Sequence, residues 1–155
     1  MKQFDEKIQN ASGQNLYAFN ASGEIRKSAI NESCMLFFIT KTYSPLLTPT
    51  QLYDATRQFW YRVAEDNRTR MPNGNLKYPI ALSIYDSVVV SVYSILVWFE
   101  AGATFSTREM PIEERVDRYE FIGNIIPNHP LLGQKIIDDN GSGIRANQQG
   151  YGYIN

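Results

Sequence analysis

Apolar positions along this chain fall into short runs separated by polar turn clusters, and the spacing within each run predicts its conformation. Residues 16–19 form a short apolar segment between Asn10-Ala11-Ser12-Gly13 and Asn20-Ala21-Ser22-Gly23, which predicts a strand with a hairpin partner at 24–29. The continuous run 34–40 has strand length and no polar alternation, as expected of a central strand covered on both faces. At Thr48-Pro49-Thr50-Gln51 the pattern changes. A hydroxyl at N-cap, proline at the first helical position and glutamine at the third make a capping box. Leu52, Ala55, Phe59 and Val63 then recur at helical spacing, with Thr56 and Trp60 widening the stripe, which predicts an amphipathic helix over 49–63. A polar connection, 65–74, ends in the turn signal Met71-Pro72-Asn73-Gly74.

Two long strands are expected over 78–99, turning at Asp86-Ser87. The second, 88–99, is rich in valine and apolar on both faces. After a break at Ala101-Gly102-Ala103-Thr104, the charged segment 108–117 reads as a loop or short helical turn, and 119–126 as a strand stopped by Pro127 and Pro130. The tail is rich in Gly and Asn, with Ile136-Ile137 and Tyr151-Gly152-Tyr153-Ile154 as its apolar clusters, one of which would serve as an edge strand. These elements predict an α+β fold: a mostly antiparallel sheet curled into a small barrel, capped by one main amphipathic helix at about 49–63. One domain spans 1–155, with 1–14 and 138–155 as mobile termini.

Composition narrows the function classes. In 155 residues, 15 Lys plus Arg oppose 16 Asp plus Glu, which excludes a polybasic nucleic-acid coat and an acidic DNA mimic alike. The one cysteine, Cys34, lies in an apolar run and reads as a buried, inert thiol. The N-terminal residues carry no apolar leader, and 88–99 falls short of the roughly 20 residues of a membrane span, so a soluble, cytoplasmic protein without membrane contact is expected. One Cys and one His do not suffice for a zinc site. His129 has no nucleophile-elbow motif to serve, and Gly141-Ser142-Gly143 lacks the Lys-Ser/Thr of a phosphate loop. No catalytic residue, metal ligand or cofactor is therefore assigned. Hydrolysis through Glu120 or Asp117 is the weakest of three readings.

What stands out is aromatic content of 13% together with uneven charge. Residues 51–78 hold five basic residues against three acidic ones, whereas 100–120 hold three against six. Arg57 and Trp60 lie three apart on the expected helix, flanked by Tyr53 and Tyr61. Guanidinium groups with aromatic planes suit phosphate contact and base stacking. They also suit a protein-binding hot spot, or a core tryptophan with an arginine laid over it. The candidate nucleic-acid or partner-binding residues are Arg57, Trp60, Arg62, Tyr85, Arg118 and Glu120.

An ordered series extends this picture: Leu52-Tyr53-Asp54-Ala55-Thr56-Arg57-Gln58-Phe59-Trp60, Tyr78-Pro79-Ile80-Ala81-Leu82-Ser83-Ile84-Tyr85, Val90-Ser91-Val92-Tyr93-Ser94-Ile95, Trp98, Ala101-Gly102 and Arg118-Tyr119-Glu120-Phe121-Ile122-Gly123. Over about residues 35–137 it resembles a small bacterial and phage domain with the pattern Tyr-(Asp/Glu)-Ala-Thr-Arg-x-x-Trp, often found beside nuclease modules of the GIY-YIG type. Where that domain commonly has Gly-Arg-Trp-Glu-Phe, this chain has Asp117-Arg118-Tyr119-Glu120-Phe121, and it has no GIY-YIG motif. By analogy the resemblance implies a core akin to PUA or ASCH barrels and a non-enzymatic module contacting RNA or DNA, in a nuclease or phage-defence setting. The alternative is a phage or host protein acting through protein contact, as a counter-defence inhibitor or a homodimer; the oligomeric state expected is monomer or homodimer.

Overall fold

The computed structural model describes residues 21–155, together with the strand pairing of Phe4–Asp5 (β1) and Ala18–Phe19 (β2). Residues 16 and 17 of the first expected strand, and most of the 1–14 segment, lie outside the described residues. The expected hairpin does not form. β2 pairs with β1, and the next strand, Gly23–Arg26 (β3), runs parallel to a strand more than one hundred residues later, Gln134–Ile137 (β9). Ile25 lies opposite Ile136 in that register, so burial of these two side chains decides the pairing.

The remaining elements are Cys34–Phe38 (β4), Pro49–Arg57 (α1), Trp60–Tyr61 (β5), Glu65–Arg68 (α2), Ile80–Tyr85 (β6), Val88–Glu100 (β7), Arg118–Ile125 (β8) and Tyr151–Ile154 (β10). The sheet runs β10-β4-β6-β7-β8-β5, with β9 joined to β7 and β3 to β9. It is mixed: β4–β6 and β3–β9 are parallel, and the other pairs antiparallel. As the apolar run predicts, β4 lies inside the sheet with both faces covered. Met35 and Phe37 enter one buried cluster, Cys34 and Leu36 the other. Asp86 and Ser87 turn the β6–β7 hairpin with φ of 50° and 66°, the left-handed pair of a tight hairpin turn.

Two further expectations need correction. The helix is shorter than 49–63. Its capping box forms as the sequence predicts, but α1 ends at Arg57. Phe59 takes φ 70°, and Trp60–Tyr61 pair with Arg118 and Tyr119 of β8. The helical spacing of Phe59, Trp60 and Val63 is thus met by a turn and a strand, which still bury Phe59 and Val63. The barrel is also not closed. Tyr151 Oη donates to Tyr61 O at 2.8 Å, and the Trp60 ring lies 5.0 Å from Phe37, so the outer strands approach each other. No ladder joins them, because β5 has two residues and left-handed positions at Phe59 and Arg62 turn the chain away at both ends. In the tail, both apolar clusters are strands, and β10 is tied to β4 through residues 151–154.

Candidate functional site

The Tyr53–Arg57 stretch faces inward, and its side chains join α1 to β8 and to the connection after β7. Arg57 is 2% exposed. Its Nε donates to Asp54 Oδ1 at 2.8 Å, Nη1 to Thr104 Oγ1 at 2.7 Å and Phe121 O at 3.3 Å, and Nη2 to Phe105 O. Glu120 is fully buried; Oε1 accepts from Gly102 N at 2.8 Å and from Gln58 Nε2, and Oε2 from the backbone and hydroxyl of Thr104. Asp54 Oδ2 accepts from both donors of Thr107 at 2.7 Å. A guanidinium between two carboxylates, with nearly every donor used, has no face left for a phosphate. Arg57 and Glu120 hold the loop and the sheet together from within.

Trp60, Arg62 and Arg118 gather at the β5–β8 edge. The Trp60 indole packs against Phe37 and Tyr151, and its Nε1 donates to Thr56 O at 2.8 Å. Arg118 donates to Phe59 O at 2.8 Å and Glu114 O at 3.1 Å. The Arg62 and Arg118 guanidiniums lie 5.0 and 5.3 Å from the Tyr61 ring, and Arg62 pairs with Asp117 at 3.6 Å. Arg57 and Arg118 therefore do not converge on one open hollow. The edge arginines are already engaged with carbonyls and a carboxylate.

Tyr85 takes a different place. It lines a cleft of about 460 Å³, with Phe38, Lys135, Ile144 and Arg145 around it, and its ring lies tilted against that of Tyr43, 4.7 Å between centroids. Three segments build this cleft. β9 delivers Lys135. The turn after it closes on Asp138, whose Oδ1 accepts from Asn140 N and Ser142 N. A bridge between Ile137 and Gly143, with Ile144 N donating to Ile136 O at 3.1 Å, then returns Arg145 beside Lys135. The β6–β7 turn seals the base: Ser87 Oγ donates to Ile144 O at 2.9 Å, and Ile136 N to Ser87 O at 2.8 Å. Gly143 is required there, since a Cβ would come within 2.2 Å of Ser87 Oγ.

Lys135 and Arg145 take part in no ion pair or side-chain hydrogen bond among the described residues. A second cleft of about 410 Å³ shares Phe38, Gly143, Ile144 and Arg145 with the first and continues along β4 to Leu36, Gly152 and Lys27. The result is a groove lined by Phe38 and Tyr85, with Lys27, Lys135 and Arg145 set against Asp86 and the turn-bound Asp138. Of these lining residues the sequence analysis singled out Tyr85, and not Phe38, Lys135 or Arg145. The available signal was a pair of cations flanking Gly141-Ser142-Gly143, a turn able to fold the tail back on itself.

His129 is held at both ring nitrogens: Nε2 lies 2.6 Å from Glu32 Oε1, and Nδ1 accepts from Leu131 N at 3.1 Å. Among the described residues no three His, Cys, Asp or Glu side chains gather as a metal site would need, and no helix is long and apolar enough to cross a membrane. Compared with family models, curated proteins and solved structures, the chain matches none of them.

Proposed function

We propose that this chain is a recognition module that binds single-stranded nucleic acid in the groove between Tyr85 and Gly152. The observation that carries the reading is the meeting in one cleft of two cations without an ion pair among the described residues, Lys135 and Arg145, with the rings of Phe38 and Tyr85. Unneutralised cations attract phosphate at little desolvation cost, and aromatic faces accept bases of any sequence. The nuclease or phage-defence setting implied by the resemblance belongs to the same proposal. Of the residues first singled out, Tyr85 keeps a direct role. Arg57 and Glu120 act by holding the fold.

A salt series with a fluorescent single-stranded 10-mer (about ten nucleotides, within the site sizes of such modules) tests the reading. Affinity should fall as salt rises, and Lys135→Glu or Arg145→Glu should each lower the logarithmic salt slope by about one. Absence of binding at low salt, by DNA and RNA alike, overturns the proposal.

A further inference from the structure

The β7–β8 connection presents an aromatic side chain in an unusual way. Phe105 is fully exposed, at 101%. Its backbone nevertheless sits in one of the most firmly held loops of the molecule. Gly102 N and Thr104 N donate to Glu120, Phe105 O accepts from Arg57, Ser106 Oγ donates to Gln58, and Thr107 is bound twice by Asp54. A buried ionic network thus clamps the loop and leaves its phenyl ring in water. Among the described residues nothing packs over that ring. A rigidly held, exposed aromatic loses little entropy on insertion into a pocket, which is what a binding anchor requires.

The surroundings state what kind of pocket. Ile112 and Val116, in the same connection, are 75% and 67% exposed. Glu100, Glu109, Glu113, Glu114 and Asp117 are all exposed around them. The three arginines nearby turn onto backbone carbonyls: Arg108 onto Asp54 and Gln58, Arg115 onto Met110, Arg118 onto Phe59 and Glu114. The face seen by a partner is therefore apolar knobs among carboxylates, of which Asp117 is paired with the exposed Arg62 at 3.6 Å. Its complement is a pocket with apolar walls and a cationic rim.

The groove at the other end of β7 supplies rings and cations, set among the polar Thr40, Asp86 and Ser87. Phe38, Tyr85 and Ile144 line it, Lys135 and Arg145 rim it, and its 460 Å³ exceeds the volume of a phenyl ring. β7 starts at the cleft and ends at the loop. Thirteen residues at roughly 3.3 Å each put the two ends on the order of 40 Å apart along the strand, too far for a chain to fill its own groove. We infer that the Phe105 knob docks into the Lys135–Arg145 groove of a second copy, so that the chain associates head to tail. Such a contact joins two different surfaces, and it extends to a ring or a filament rather than stopping at a symmetric pair. A carboxylate-ringed phenyl offers the groove the same chemistry as a phosphate beside a base, so docking and nucleic-acid binding compete. The inference uses the groove of the proposed function but is read out separately, as mass.

Sedimentation equilibrium of the full chain at low salt should show mass rising with concentration, and less so at high salt. Phe105→Ser, which removes a side chain without internal contacts, and the double variant Lys135→Glu/Arg145→Glu should each remain monomeric. Mixed in equal amounts, these two variants should form a two-chain species and nothing larger, since only one knob and one groove remain intact. A wild-type chain that stays monomeric at all concentrations, or a mixture that does not pair, overturns the inference. Oligonucleotide binding by the Phe105→Ser chain, measured in parallel, shows whether the groove reading survives that failure.

Discussion

The phenolic oxygen of Tyr53 accepts the amide proton of Gly123 at 2.8 Å, across seventy residues of sequence. Gly123 lies on β8, beyond the two-residue strand β5, where the strand's outer edge has no ladder partner. Arg57 binds the carbonyl of Phe121 on the same edge. Side chains of α1 thus do for β8 what a neighbouring strand would otherwise do, and close an edge that would be open to another chain. The Tyr-Asp-Ala-Thr-Arg stretch and the Glu-Phe-Ile-Gly stretch are two halves of one staple.

Removing either half should cost stability. Tyr53→Phe leaves the Gly123 amide without an acceptor, an expected loss of about 1–3 kcal/mol in urea denaturation. Gly123→Ala is worse, because its Cβ would lie 2.0 Å from the carbonyl oxygen of Ser94. A Gly123→Ala chain as stable as wild type would show that β7 and β8 do not approach this closely.

The buried ion network predicts a separation of stability from binding. Arg57→Met leaves Asp54 and Glu120 buried without their cation and should cost about 3–5 kcal/mol. Glu120→Gln keeps the shape but weakens the anchoring of Gly102 and Thr104, and should cost about 1–3 kcal/mol. Oligonucleotide affinity, measured where each variant is folded, should match wild type. A specific loss of affinity at full stability would return these residues to the binding surface.

Gly152 offers the complementary test. It lines the groove in ordinary extended backbone, and a Cβ there meets nothing within 4 Å. Gly152→Val should fold with stability changed by about 0.5 kcal/mol or less, as expected of a site without close neighbours. The added side chain narrows the groove, so oligonucleotide affinity should drop. Unchanged affinity would place the nucleic acid elsewhere.

Alkaline pH should destabilise the fold through groups buried in neutral form. Burial, assisted by the Glu32 carboxylate, pushes the Cys34 thiol up from about 9 to about 12, and burial pushes the Tyr93 phenol up from about 10 to about 12. Between these limits the unfolded chain releases protons that the folded chain keeps. Stability is therefore fully present below about pH 9 and declines toward pH 12. Urea midpoints across this range should fall, and more gently for Tyr93→Phe. An equally steep decline in Tyr93→Phe would remove that phenol from the account. At neutral pH a thiol reagent should label Cys34 only after unfolding, since the residue is fully buried.

Elements set by local pattern were legible in the sequence: the capped start of α1, the doubly covered strand at 34–38 and the 86–87 hairpin. Each follows from side chains within a few positions of one another, where periodicity and turn chemistry suffice. The end of α1 was not legible. Phe59, Trp60 and Val63 satisfy helical spacing, and only pairing of Trp60–Tyr61 with distant residues of β8 selects a strand.

The same division governs function. From the amino-acid order alone came the α+β class and the choice of arginines and aromatics, Tyr85 among them, as candidate ligand contacts. Which arginines face water was decided by folding, because the charge on Arg57 meets Asp54 and Glu120 only once α1 lies against β8. Lys135 and Arg145, unremarkable in a Gly- and Asn-rich tail, become neighbours because a turn held by Asp138 doubles the chain back. Local spacing specifies conformation. Long-range contact determines which charges are neutralised and which remain available to a ligand.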